Sequence, residues 1–199
     1  MANICCDDVY FYTYTNPTAI QRLWYDLETS IICSPNPDDS WFGNLFKYVK
    51  LPTADLVLRG CVTYMEQNDN QVFLELETAW SPLYDAYASI AAHYGLQFVI
   101  KSVEPGSNIY INSDDTKDII PEKYIIRIYD DQILVPSGDM LSETLEDCTV
   151  FASEQALLDT FHNLGYQASC VDNLNELLLN DEIEIHEFMN PYITQNKAA

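Results

Sequence analysis

The chain has 199 residues, 48% of them hydrophobic and 13% aromatic, enough apolar material for a large core and too much for a disordered acidic tail. Its 31 acidic residues stand against 9 lysines and arginines, a net charge of −22, which disfavours direct nucleic-acid binding because that affinity comes from cations neutralising phosphates. No apolar run approaches the ~20 residues of a membrane helix, and MANICCDDVY lacks the basic-then-apolar order of a signal peptide, so a cytoplasmic protein is expected.

In chain order, the β-branched and aromatic run VYFYTY (Val9 to Tyr14) predicts a first strand. Asn16-Pro17 then marks a helix start, and Ile20, Leu23, Trp24, Leu27 and Ile31 form one apolar stripe. SPNPDDSWFGN (Ser34 to Asn44) reads as a turn-rich loop anchored by Trp41 and Phe42. LVLRGCVTYM (Leu56 to Met65) is a second strand, joined through EQNDNQ to a third. From Gln71 to Gly106 every boundary carries a physical reason. Val72, Leu74, Leu76, Thr78 and Trp80 alternate with Phe73, Glu75 and Glu77 in a half-buried strand. Ser81 is placed to cap a helix with Pro82 in its first turn, and Leu83, Tyr87, Ile90, Ala91 and Tyr94 give it a core face. Gly95 ends that helix in the left-handed conformation, and LQFVIKSVEPG leaves as a fourth strand.

This β-α-β-β-α-β order predicts an α+β fold, the split βαβ of a ferredoxin-like sandwich with two helices on one face of an antiparallel sheet. NIYIN (Asn108 to Asn112) and KYIIRIYD (Lys123 to Asp130) read as extra strands. After PSGD (Pro136 to Asp139) come a short CTVF strand, a helix capped by Ser153 and stopped by Gly165, a YQASCV strand and an NLNELLL helix. IEIHEF fits either a strand or a helix. The expected division is residues 1–135 as the ferredoxin-like domain and 136–199 as a small acidic α/β appendage.

The charge is unevenly distributed. Fourteen acids lie between Arg127 and Lys197 with no basic residue among them. Asp172, Glu176, Asp181, Glu182, Glu184 and Glu187 form the densest group, a one-signed surface suited to a basic partner. Six cysteines without CxxC spacing or a secretion signal read as buried reduced thiols.

Three motifs bear on family. Met1-x-Asn3-x-Cys5 opens the chain, Thr78-Ala79-Trp80-Ser81-Pro82 joins strand to helix, and Glu104-Pro105-Gly106 ends the next strand. Over roughly residues 1 to 130 the chain resembles the YubB-like ferredoxin-like domain of conjugative plasmid, phage and genomic-island proteins. It departs from that pattern at Leu83, where a second proline is usual, and at Ile4, where an aromatic is usual. The resemblance implies a fold and a mobile-element setting, and no catalytic residues.

Candidate chemistry is sparse. Asn3, Cys5, Trp80, Glu104 and Gly106 are candidates for a pocket at one end of the sheet; the competing reading puts Trp80 in the core and has Asn3 and Glu104 satisfy backbone groups at a turn. Glu75 and Glu77, about 7 Å apart along a strand, match a glycosidase acid pair in spacing but sit on the solvated face. Tyr10, Tyr12 and Tyr14 resemble a base-stacking row without the basic neighbours that RNA needs. Asn112, Asp114 and Asp118 suggest a calcium loop, but Lys117 and Lys123 stand where glycine and glutamate belong. Glu182, Glu184 and His186 would share one strand face; ordinary surface charge is the preferred reading, and no metal or cofactor is expected.

The expected function is a non-enzymatic mobile-element protein whose acidic surface occupies the basic channel of a nucleic-acid-binding host defence protein, of the anti-CRISPR or anti-restriction type. The alternatives are an enzyme or small-ligand protein with a pocket near Trp80 and Glu104, and an acidic structural protein.

Overall fold

The computed structural model describes residues 3–33, 40–130, 132–178 and 182–193. The chain divides into two compact units, Met1–Ser113 and Asp114–Ala199. It is an α+β protein with two antiparallel sheets.

The first unit is built on β1 (Ile4–Tyr12), which starts earlier than its β-branched run because β3 (Gln71–Ala79) pairs with its whole length, from Ile4↔Ala79 to Tyr12↔Gln71. Cys5, Asp7, Val9 and Phe11 are buried, and Cys6, Asp8, Tyr10 and Tyr12 alternate on the other face. Helix α1 (Pro17–Leu27) buries Ala19, Ile20, Leu23 and Leu27, whereas Trp24 of the predicted stripe is only half-buried. The helix widens into a π-turn over Glu28–Ile32, which still buries Ile31. Of the stretch read as a loop, Ser34 to Asn44, residues 34–39 lie outside the described residues, and its last two residues already belong to a helix, α2 (Gly43–Val49). Phe42 is fully buried and meets the rings of Phe46 and Tyr87 with centroids 5.8 and 5.6 Å apart, while the Trp41 indole donates to the Leu58 carbonyl. The anchor is therefore as expected, and the helix it starts has too short an apolar pattern to read.

Strand β2 (Gly60–Gln67) pairs with β3, and β4 (Gln97–Glu104) pairs with β1 and with β5 (Ile109–Asn112). The sheet order is β2-β3-β1-β4-β5. Helix α3 (Tyr84–Tyr94) lies against the buried face through Leu83, Ala86, Tyr87, Ile90, Ala91 and Tyr94, and ends at Gly95 with φ 68°, as the stripe and glycine predict. Two local expectations fail. Ser81 is not the cap, because the chain turns once more and the helix starts after Leu83. Trp80 leaves the alternation: its φ is +73° and its side chain is 48% exposed, so it is not core.

In the second unit, β6 (Tyr124–Ile128) is central to a three-stranded sheet of order β7-β6-β8, with β7 (Val150–Phe151) and β8 (Ile183–Glu187). KYIIRIYD thus belongs with the acidic segment, and the boundary at 135 moves back to Ser113/Asp114, because the strands that pair with it, β7 and β8, both come later in the chain. IEIHE is a strand. YQASCV is not one; it is a loop leading into α5 (Val171–Leu178). Helix α4 (Glu154–Asn163) is capped by the Ser153 hydroxyl on the Ala156 N–H at 3.2 Å and ends before Gly165, φ 95°, as read. Leu157, Phe161, Leu174 and Leu178 join Tyr124, Ile126 and Ile183 in a core of its own. Among the described residues no helix is long and apolar enough to cross a membrane.

Candidate functional site

The acidic group is assembled by α5 and β8, which adjoin in the second unit. Leu174 and Leu178 bury one side of α5 and leave Asp172 and Glu176 exposed. Ile183 buries the start of β8, and the period of two turns Glu184 outward. Glu187 is exposed at the strand end and Glu182 just before the strand, at φ +53°. Asp181 lies outside the described residues. The acids border two clefts: one of about 280 Å³ with Glu154, Asp172 and Glu187 in its wall, and one of about 500 Å³ with Glu182, Glu184 and His186.

The expectation that no cation lies among these acids needs correction. Pairing of β6 with β8 sets Tyr124 opposite Glu187 and Arg127 opposite Glu184. Lys123 reaches Glu187 at 3.5 Å, and Arg127 binds Asp147 at 2.8 Å. Both cations precede the acidic segment in sequence and return to it through sheet pairing. Burial opposes ionisation of Asp147, but the Arg127 guanidinium and the Ile128 N–H outweigh it and hold the carboxyl below its ordinary pKa. Glu184 accepts from the Tyr129 hydroxyl at 2.9 Å and meets the His186 ring at 3.1 Å. The three-residue strand face suggested by Glu182, Glu184 and His186 does not form, since Glu182 precedes β8 in a left-handed conformation.

At the end of the first sheet the structure does bring most of the candidate pocket together. The Trp80 N–H donates to the Asn3 carbonyl at 3.0 Å. Glu104 is buried and accepts from the Gly106 N–H at 2.9 Å. A Cβ on Gly106 would stand 2.5 Å from Asn3 Nδ2 and 2.8 Å from Glu104 Oε1, so glycine lets the turn close on both. The Ser107 hydroxyl, the Ser107 and Gly106 N–H groups and the Asn3 amide lower the Glu104 pKa against the opposing effect of burial. Cys5 faces away, into the buried face of the sheet. Asn3 and Glu104 thus form a latch between strand ends, with an exposed indole beside it.

Behind that latch is a buried polar group that sequence reading missed. Asp7, 1% exposed, accepts from the Tyr87 hydroxyl at 2.6 Å, the Cys5 thiol at 3.3 Å and the Leu83 N–H at 3.4 Å. Burial raises its pKa despite these donors, and burial followed by the Asp7 charge pushes the Tyr87 hydroxyl well up. The carboxyl stands at the N-terminus of α3, where the helix dipole favours negative charge and where Ser81 was expected to act. The only signal was polar: an aspartate on the apolar side of a strand alternation.

Two further expectations are settled by geometry. Asp114 belongs to no EF-hand arrangement; its oxygens accept from the N–H groups of Thr116, Lys117, Ile119 and Ile120 and from the Thr116 hydroxyl, at 2.7 to 3.1 Å. Of the six cysteines only Cys5 is buried; Cys6, Cys33, Cys61 and Cys148 are exposed and Cys170 is half-buried, because short polar-flanked thiols sit on outward positions of strands and turns. No known protein family, curated protein or solved structure matches the chain.

Proposed function

We propose that the protein is a non-enzymatic binding module whose acidic edge, formed by Asp172, Glu176, Glu182, Glu184 and Glu187, docks on a basic, nucleic-acid-binding host protein. The observation that carries this reading is the exposure of all five side chains on or beside the adjoining α5 and β8, with Asp172, Glu182, Glu184 and Glu187 lining two clefts. Lys123 and Arg127 temper the field without reversing it, since each already has an acidic partner. Support for a ferredoxin-like first unit is the β-α-β-β-α-β order, with α2 inserted before β2, and strands arranged β2-β3-β1-β4 with β5 added at the edge. The resemblance of the TAWSP and EPG motifs to YubB-like domains supports a mobile-element origin. An anti-CRISPR or anti-restriction role follows from combining that origin with an anionic surface able to take the place of nucleic acid.

The test is association with a basic partner recovered from host lysate, followed against ionic strength. A variant with Asp172→Asn, Glu176→Gln, Glu182→Gln, Glu184→Gln and Glu187→Gln is expected to associate more slowly, with a flatter salt dependence and an intact fold. Nucleic acid should compete with the wild-type protein for the partner. Equal salt slopes for the two proteins would place the contact elsewhere.

A further inference from the structure

The open face of the first sheet carries a second arrangement, chemically different from the acidic edge. A register shift between Val62 and Tyr64 in β2 puts Tyr64 opposite Glu75 instead of in the core, and leaves it 48% exposed. Its ring meets Phe73 at 6.2 Å, and Phe73 stacks on Tyr10 at 4.6 Å and 25°. Three neighbouring strands thus share one aromatic row. Carboxylates border it: Glu66 opposite Phe73, Glu75 opposite both Tyr64 and Asp8, and Glu77 opposite Cys6 and Cys61. Asp8 is neutralised by Lys101 at 2.8 Å, and Glu66 accepts from the Tyr64 hydroxyl at 3.2 Å. Glu75 and Glu77 are exposed, and among the described residues their carboxylates make no hydrogen bond or ion pair.

We propose that this face binds an extended, arginine-bearing segment of a partner protein. A guanidinium is planar and weakly hydrated, so it stacks on an aromatic face while its N–H fork engages a carboxylate; lysine does only the second well. Glu75 and Glu77 repeat at about 7 Å along β3, the repeat of alternate side chains in an extended peptide. Arginines at every second position therefore meet Glu75 and Glu77 in register, beside Tyr64 and Phe73. Single-stranded nucleic acid would use the same rings, but the carboxylates repel its phosphates.

The test uses the full chain with the five acidic-edge substitutions named above, so that binding at that edge does not mask this face. Labelled octapeptides of alternating arginine and threonine, or lysine and threonine, are titrated by fluorescence anisotropy beside a uridine oligonucleotide. The arginine peptide is expected to bind about threefold or more tighter than the lysine peptide. Tyr64→Ala should abolish that preference. Glu75→Gln with Glu77→Gln, both exposed and without partners to lose, should weaken both peptides about tenfold with unchanged thermal unfolding. Equal affinity for the two peptides, affinities unmoved by these substitutions, or binding of the oligonucleotide in their place would overturn the proposal.

Discussion

Each unit buries one aspartate near its beginning, and the two behave oppositely. Asp7 in the first unit and Asp114 in the second are 1% and 4% exposed. Burial favours the neutral acid in both. Asp114 overcomes it with four backbone N–H donors and a hydroxyl, all from the six residues that follow, and its pKa falls below the ordinary value. Asp7 receives the thiol of Cys5 two residues before it, and the Tyr87 phenol and one long Leu83 N–H contact from a distant segment, and its pKa rises. Similar surface exposure does not decide the protonation state; how deeply the carboxyl is desolvated and the number and kind of donors do. A loop wrapped around its own carboxylate supplies backbone N–H donors in quantity, whereas the strand under the helix offers Asp7 side-chain donors and one long backbone contact.

The largest expected effect comes from removing the better-satisfied carboxylate. Asp114→Ala strands several partly buried N–H groups and should cost about 3–5 kcal/mol, with amide exchange at Ile119 and Ile120 accelerating first. A loss below about 1 kcal/mol would mean that water replaces Asp114 and would remove the contrast. Tyr87→Phe should cost about 1–3 kcal/mol at neutral pH, because Asp7 then stays buried with one strong donor fewer.

The pH dependence sharpens the comparison. As pH rises through the ordinary carboxylate range, the unfolded chain releases the Asp7 proton while the folded protein keeps it. The stabilising contribution of Asp7 is therefore full below that range and is lost as pH climbs through its raised folded value. Asp114 contributes stability above the ordinary range and loses it as pH falls through its lowered folded value. Urea unfolding across pH should thus show wild type losing ground to Asp7→Asn on going up in pH, and to Asp114→Asn on going down. Parallel curves for wild type and Asp7→Asn would show that Asp7 titrates normally. The smallest effect is expected at Trp80: Trp80→Ala should change stability by less than about 1 kcal/mol, since the indole is exposed and the backbone strain remains in either protein. A loss of about 3–5 kcal/mol in a thermal melt would show the ring to be buried after all.

What was legible in the sequence is what neighbours along the chain decide. The alternation of Val72, Leu74, Leu76 and Thr78, the stripe from Leu83 to Tyr94, the stop at Gly95 and the cap at Ser153 each rest on contacts within a few residues, and each stands in the fold. Of the candidate site, the grouping of Asp172, Glu176, Glu184 and Glu187 and the approach of Asn3 to Glu104 were readable, the first from density of charge and the second from motif order. Tertiary structure alone decided the rest. Asp7 occupies the N-terminus of α3 from 76 residues away, displacing the role read for Ser81. Trp80 is turned outward where the chain leaves β3 for the helix, at a φ that no periodicity reveals. Lys123 reaches Glu187, and Arg127 comes to stand opposite Glu184, because β6 pairs with β8, and the same pairing moves the boundary between the units to Ser113. Hydrogen bonds between strands distant in sequence are satisfied by whichever backbone arrives beside them, and a pattern confined to one segment carries no record of that partner.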